Sequence, residues 1–314
     1  MRDYILRRLL MLIPVLIGIS LCVFFVMQLV PGDVISGILG IEQTPELRAI
    51  WEKKLGLDRP VVVQYFSWIG NVLRGDFGES FRTGAPVLPE ILSRFRISAE
   101  LALLACLTSL IIAIPMGILS ALKRNRPADK VIRVAALMGV SIPNFASATL
   151  IILFLSKVFG YFTPVKYVSL FESPGTNLEI MLLPAIILGA SMAGSVMRMT
   201  RSSILEVLRQ DFIKAVRAKG ASERITIFRH ALKNGCIPII TLVGMQMGSL
   251  LGGTVVIEQI FSIPGLGQYV LTGITQRDYP VVQGSVLFIA FVYVMINLLV
   301  DILYTYVDPR IQYE

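Results

Sequence analysis

The chain has 314 residues, of which 55% are hydrophobic and only 16% charged, against roughly 25% charged in an average soluble domain. Its mean hydropathy of +0.73 and net charge of +8 exclude a disordered or collagen-like chain and point to an α-helical membrane protein with basic loops. A single histidine, His230, excludes multi-His metal sites, and three cysteines (Cys22, Cys106, Cys236) spread over apolar runs give neither a disulfide framework nor a zinc site.

A helix needs about 20 apolar residues to cross a bilayer, and six uncharged runs qualify: 9–30, 101–122, 134–156, 180–197, 234–257 and 279–300. The first follows Arg7 and Arg8 and leads into Pro31-Gly32-Asp33 rather than a small-x-small cleavage site, so it reads as an uncleaved span and not a signal peptide. Residues 31–100 form a long loop. In it Thr44 is placed to cap a helix that has Pro45 at its first position and Gly56 at its end. Leu47, Ile50, Trp51 and Leu55 make one helical apolar stripe, and Tyr65, Phe66, Ile69 and Leu73 a second. Both stripes are expected to pack on the outer face of the bundle. Prolines interrupt several spans (Pro14, Pro115, Pro143, Pro184), and small residues crowd 189–195 and 244–253, as close helix packing requires.

Residues 198–233 carry nine basic and three acidic side chains, yet they are patterned. Asp211 is expected to cap a helix through Lys219 with Phe212, Ala215 and Val216 on one face. Gly220 stands where such a helix ends. Ser222 is expected to cap a second helix, Glu223 to Lys233, with Ile225, Phe228 and Leu232 aligned. Its acid and its bases sit at the ends that suit the helix dipole. A merely solvated loop needs no such stripes and caps. Periodicity alone fits equally a helix pair lying on anionic lipid and a docking element for a cytoplasmic protein. Beyond the fifth span, the uncharged run 259–276 holds Ser262, Pro264, Gly265 and Gly267, and reads as a re-entrant or surface segment.

With six spans, one side of the membrane holds 18 Lys and Arg and the other 11, of which eight fall in the long first loop. Long loops count little in the positive-inside rule. Both termini are therefore expected on the cytoplasmic side.

The stretch 211–233, with Val216-Arg217-Ala218-Lys219-Gly220 at its centre and Arg229-His230-Ala231-Leu232 after it, resembles the EAA loop of ABC-importer permeases of the oligopeptide, dipeptide and nickel subfamily. The opening Arg7-Arg8-Leu9-Leu10, then Pro31-Gly32-Asp33, Gly56-Leu57-Asp58-Arg59-Pro60, Gly75-Asp76-Phe77-Gly78, Ile260 to Gly267 and Asp308-Pro309-Arg310 agree with it in order and topology. Two positions depart. The general pattern has Glu six residues before the glycine, and here Lys214 stands there. Val216 stands where a small residue is expected. Asp211 and Glu223 are the nearby acids that could replace the missing Glu.

The resemblance implies an all-α integral membrane protein of six transmembrane helices, multi-pass in a bacterial-type inner membrane, with an EAA-type coupling loop between spans four and five. It implies a transport subunit rather than an enzyme, with no catalytic or metal residues. The coupling residues would be Asp211, Phe212, Ala215, Val216, Arg217, Ala218, Lys219, Gly220, Glu223 and Arg224. No phosphate-binding loop occurs in the chain, so ATP and Mg would be bound by separate ATPase subunits. Implied partners are a second related permease, two ABC ATPase subunits, an extracytoplasmic solute-binding protein, membrane lipid and a transported peptide or small solute such as glutathione or a nickel complex; nucleic acid is not expected. With no charge inside any span, the pathway is expected to be lined by neutral groups: Asn144, Ser191, Ser195, Gln246, Ser249 and Asn297. The alternative of an ion-gradient-driven transporter would need carboxylates near the midplane, and Glu100, Glu258 and Asp301 lie only at span ends. An intramembrane protease would need paired aspartates or a histidine within a span.

Overall fold

The computed structural model describes residues 2–29, 35, 44–162, 164 and 166–307, without the side chains of 2–9, Lys54 and 304–307. The Pro31-Gly32-Asp33 and Asp308-Pro309-Arg310 motifs lie outside the described residues. Among the described residues there is no strand beyond an isolated bridge between Glu79 and Pro86. The chain packs as two units, one of 1–98 with 264–295 and one of 99–263 with 296–314.

The first unit begins with α1 (Arg2–Leu29), then α2 (Pro45–Leu55) and α3 (Val61–Leu73). α2 starts and stops as its sequence dictates: Thr44 Oγ1 accepts from Leu47 N at 3.2 Å, and Gly56 closes the helix at φ 68°. α3 rests on α1 through Tyr65, whose hydroxyl shares a 2.8 Å hydrogen bond with Ser20 and whose ring meets Phe24 edge-on. The two apolar stripes are less covered than expected, for Leu47, Ile50, Phe66 and Leu73 are all exposed. The start of α4 (Val87–Leu122) packs Val87 and Ile91 against Leu266 of α11 (Leu266–Gln276) and Val281 of α12 (Tyr279–Val307). Two polar devices hold this unit. Ser98 Oγ accepts from Leu266 N at 2.8 Å and so caps α11 from a distant helix. Asp278, buried between α11 and α12, accepts from Ser80 Oγ at 2.5 Å and Phe81 N at 3.1 Å, which fixes the turn before α4.

The second unit holds the rest of α4, α5 (Pro127–Ser141), α6 (Asn144–Phe159), α7 (Pro174–Val207), α8 (Asp211–Ala218), α9 (Glu223–Gly253) and α10 (Val255–Ile260). Among the described residues five helices are long and apolar enough to cross a membrane, and a sixth crossing needs α5 and α6 taken as one span, bent by 98°. The bend falls at Ile142-Pro143, where proline cannot continue the preceding helix. The uniform run 134–156 of the sequence is thus two helices. α7 meets α4 backbone to backbone, since a Cβ on Gly189 would stand 2.6 Å from the carbonyl oxygen of Ala105. Around it Ala113, Ile132, Ala136, Ala193, Val196, Met197 and Ile239 close a core of mostly small and branched side chains. Outside the spans, Tyr167 donates to Glu100 at 2.7 Å. Burial and this carboxylate push its hydroxyl well above the usual tyrosine range, so it remains a donor at neutral pH.

Glu258, expected at an interface, is instead fully buried at the end of the fifth crossing and accepts from Thr254 Oγ1 at 2.8 Å. The segment after it turns at Ser262, whose φ is 53°, before α11 begins.

Candidate coupling site

The candidate coupling site is built where α7 ends. α7 runs ten residues past the apolar run that ended at 197, carrying Arg198 and Arg201 on its extension. After Val207 the chain turns, and α8 begins. Its cap differs from the expected one. Gln210 takes the capping position without a side-chain bond, and Asp211 is the first helical residue, 94% exposed and paired with Lys214 at 2.8 Å. An acid in the first turn still suits the helix dipole.

The face that docks differs as well. Ile213 is fully buried among Ile118 and Ala121 of α4, Ile204 and Val207 of α7, and Ile227 and Ala231 of α9. Phe212, Ala215 and Ala218 stay exposed, and Val216 is half-buried. The stripe read from the sequence is therefore the outward face, and the residue between its members is the anchor. A helix of eight residues is too short to be stable by itself, so this one contact region holds it to the bundle.

Gly220 follows at φ +80°, and Ser222 caps the next helix by accepting from Ile225 N at 3.4 Å. Arg217 and Glu223 face each other across the glycine. The guanidinium donates through Nε and Nη2 to the two carboxylate oxygens at 2.8 and 3.1 Å. This forked pair bridges the turn between α8 and α9. Both nearby acids are thereby engaged within the loop: Asp211 with Lys214, and Glu223 with Arg217. Arg224 and Lys219 remain exposed.

The second helix of the loop does not end at Lys233. It continues as α9 to Gly253, with a π-helical turn at Thr226–Ala231 where the amphipathic start meets the apolar span. A π turn inserts one extra residue and so rotates the face presented by the rest of the helix. Here it lets Thr226, Ile227 and Ala231 all be buried.

A second tie lies beside the first, and no sequence pattern points to it. Asp129 of α5 is fully buried, and Arg201 of α7 grips it with Nε and Nη2 at 2.8 and 2.9 Å. Ser120 Oγ donates to the same carboxylate at 2.6 Å, Asn125 N at 2.9 Å, and Arg133 stands 3.6 Å away. In the sequence Asp129 is one acid in a basic loop, which is what a solvated residue looks like. Only its partner on a helix more than 70 positions away gives it meaning.

The six neutral pathway candidates all belong to the second unit or its end of α12. Asn144 opens α6, Ser191 and Ser195 lie one turn apart on α7, Gln246 and Ser249 one turn apart on α9, and Asn297 lies on α12. Ser249 is exposed and donates to Gln246 O at 2.8 Å, while Gln246 Oε1 is buried without a partner. Among the described residues no group of three or more His, Cys, Asp or Glu could hold a metal ion.

Two family descriptions match the chain in succession: "Binding-prot-dependent transport system membrane comp, N-term" over residues 1–102 and "Binding-protein-dependent transport system inner membrane component" over 113–313. The chain is 40% identical to the dipeptide transport system permease protein DppB of Alkalihalophilus pseudofirmus, over 100% of both chains. It is 41% identical to a putative peptide transport system permease protein of Brucella abortus and 38% identical to the glutathione transport system permease protein GsiC of Salmonella typhi, again over 100% of each. The fold is shared with the MetNI methionine ABC transporter in an inward facing conformation, at 16% identity and a TM-score of 0.58 over 71% of this chain and 98% of that one. An amino acid ABC transporter matches at 14% identity and a TM-score of 0.53, over 75% and 96%.

Proposed function

The chain belongs to the family of binding-protein-dependent transport system inner membrane components, and from that premise we propose that it is one half of the translocation pathway of an ATP-driven importer of short peptides or related small solutes. A second permease would complete the pathway. Two ABC ATPase subunits would drive it, one docking on α8 and the other on the second permease, and an extracytoplasmic binding protein would deliver the solute. Both termini would be cytoplasmic, on the side with the excess of basic residues. Glutathione and nickel complexes are the other solutes of the same reading.

The observation that carries the coupling role is the division of labour in α8. Ile213 anchors it in the permease while Phe212, Ala215 and Ala218 face outward, uncovered by the chain itself. An exposed apolar face on a well-anchored short helix suits insertion into a cleft of a partner. Closure of the ATPase dimer would then move α8, and α7 and α9 with it, between two packings of the bundle. Asn144, Ser191, Ser195, Gln246, Ser249 and Asn297 would give that pathway its neutral polarity.

The test is reconstitution of the permease pair with its ATPase and binding protein in proteoliposomes, with labelled trialanine outside. Uptake that requires ATP and the binding protein is expected. Uptake driven by an ion gradient without ATP would overturn the reading.

A further inference from the structure

A cavity of about 480 Å³ opens within the first unit, inside the range of roughly 300–1,000 Å³ typical of small-molecule sites. Its wall combines Trp51 of α2, Arg59 between α2 and α3, Trp68 of α3, Glu79 of the turn before α4, and Tyr279 and Gln283 from the start of α12. The chain has two tryptophans in all, and both line it. Two polar groups there lack a protein partner. Trp68 Nε1 is buried with no hydrogen bond, and Gln283, a residue more than nine-tenths buried, lines the cavity with no side-chain hydrogen bond to a described residue. Buried polar groups in native proteins are nearly always paired, so a polar ligand is the economical explanation of the unmet indole N–H, and the Gln283 carboxamide is open to the same ligand.

The chemistry of the wall narrows that ligand. One cation and one anion make the lining neutral. A single carboxylate is too few for a hard metal ion, and a single guanidinium is too few for a nucleotide or phosphate-rich solute. A wholly apolar molecule would leave the indole N–H and the carboxamide unmet. We infer that this cavity is a solute subsite for a short zwitterionic peptide. Arg59 receives the terminal carboxylate and Glu79 the terminal ammonium group. Trp68 and Gln283 bond a peptide amide, and the rings of Trp51 and Tyr279 cover apolar side chains. The inference rests on the peptide-import reading and adds to it a second selective step, on the permease itself.

The full chain, labelled with 5-fluorotryptophan and placed in nanodiscs, reads the site directly, because each of its two fluorine resonances lies in the wall. Trialanine should shift them saturably. Trialanine amide and N-acetyl-trialanine should bind about tenfold or more weakly, each having lost one charge-assisted contact. Arg59→Gln should weaken the free acid and leave the amide little changed, and Glu79→Gln should do the same for the free amine against the acetylated peptide. The blocked peptides test the wild-type chain, so the outcome does not depend on the variants folding. No shift at millimolar trialanine, or equal shifts from all three peptides, would overturn the subsite. ATP-driven uptake with silent resonances would overturn the subsite and leave peptide import standing. A charge-selective shift without uptake by the reconstituted importer would uphold the subsite and overturn peptide import.

Discussion

Replacing Gly220 by valine isolates the geometry of the proposed coupling loop from its packing. Gly220 has φ +80° and nothing within 4 Å of the position a Cβ would take. Valine therefore meets no clash, and the whole cost is backbone strain. That cost is roughly 1–2 kcal/mol for an L-residue in the left-handed region, and the branched side chain places valine at its upper end. The Arg217–Glu223 pair opposes opening of the turn, but its side chains are 41% and 61% exposed, and such pairs contribute about 0–1 kcal/mol. The strain wins, and the population of the native loop angle falls by about 5–30-fold. The bundle does not unfold, because Ile213 and its neighbours are untouched. The expected phenotype is a membrane-inserted permease that co-purifies with less ATPase, or whose ATPase no longer responds to solute. Gly220→Asn should be nearly silent, since asparagine tolerates this conformation, and Gly220→Ala should fall between. Normal assembly and normal solute-stimulated hydrolysis in Gly220→Val, or equal damage from asparagine and valine, would refute the strain mechanism.

Ile213→Ala removes a fully buried anchor, for which about 2–5 kcal/mol is typical; limited proteolysis should then cut near α8. Phe212→Ala should leave proteolysis unchanged and weaken only ATPase co-purification. Asp129→Asn leaves Arg201 without its ion pair at a buried site, where breaking a pair costs about 3–5 kcal/mol. Thermal unfolding in detergent should show this loss, and the Asp129→Leu, Arg201→Leu double variant should be more stable than either single change. Cysteines at Thr83 and Arg224 in a cysteine-free chain should react with an impermeant maleimide from opposite faces; reaction of both in intact cells would refute cytoplasmic termini. Alanine at all six neutral pathway positions should alter solute selectivity in uptake assays, and unchanged uptake and selectivity would remove their lining role.

The spans, the α2 caps and the Gly220 break were readable because each comes from local chemistry: apolar length, an oxygen at a cap, a residue free to take positive φ. The choice between faces of α8 was not. Phe212, Ala215 and Val216 form as good a stripe as any containing Ile213, and only the hollow left by Ile118, Ile204 and Ile227 decides which is buried. Asp129, Glu258 and Asp278 were missed for a related reason. Glu258 and Asp278 lie beside apolar runs and Asp129 in a basic loop, places where a charge normally meets water; Asp129 and Asp278 are buried by partners distant in the sequence, and Glu258 pairs with Thr254 one turn before it. The break of the third crossing at Pro143 was announced by the proline, but a proline within an apolar run fits a mild kink as well as a bend of 98°.

On the proposed coupling role, the lengths of α7 and α9 would let a loop helix of eight residues act on the whole bundle. At 1.5 Å per residue, the 34 residues of α7 span about 51 Å and the 31 of α9 about 46 Å. The hydrocarbon core is about 30 Å thick, so each helix has several turns to spare, and on the proposed topology part of that excess stands on the cytoplasmic side as Arg198–Val207 and Glu223–Lys233. α8 joins those two free ends. A push on α8 would therefore be delivered to both helices outside the membrane, where a lateral shift would become a tilt about the packed region within it. For this to work the ends must move together and not slide past one another. Ile213, buried between α4, α7 and α9, supplies non-directional adhesion; the Arg201 fork on Asp129, with Ser120 and Asn125 on the same carboxylate, supplies directional contacts that resist sliding. An apolar cluster alone would permit the slip that a forked ion pair forbids, which gives a buried charge at this joint a mechanical reason to exist.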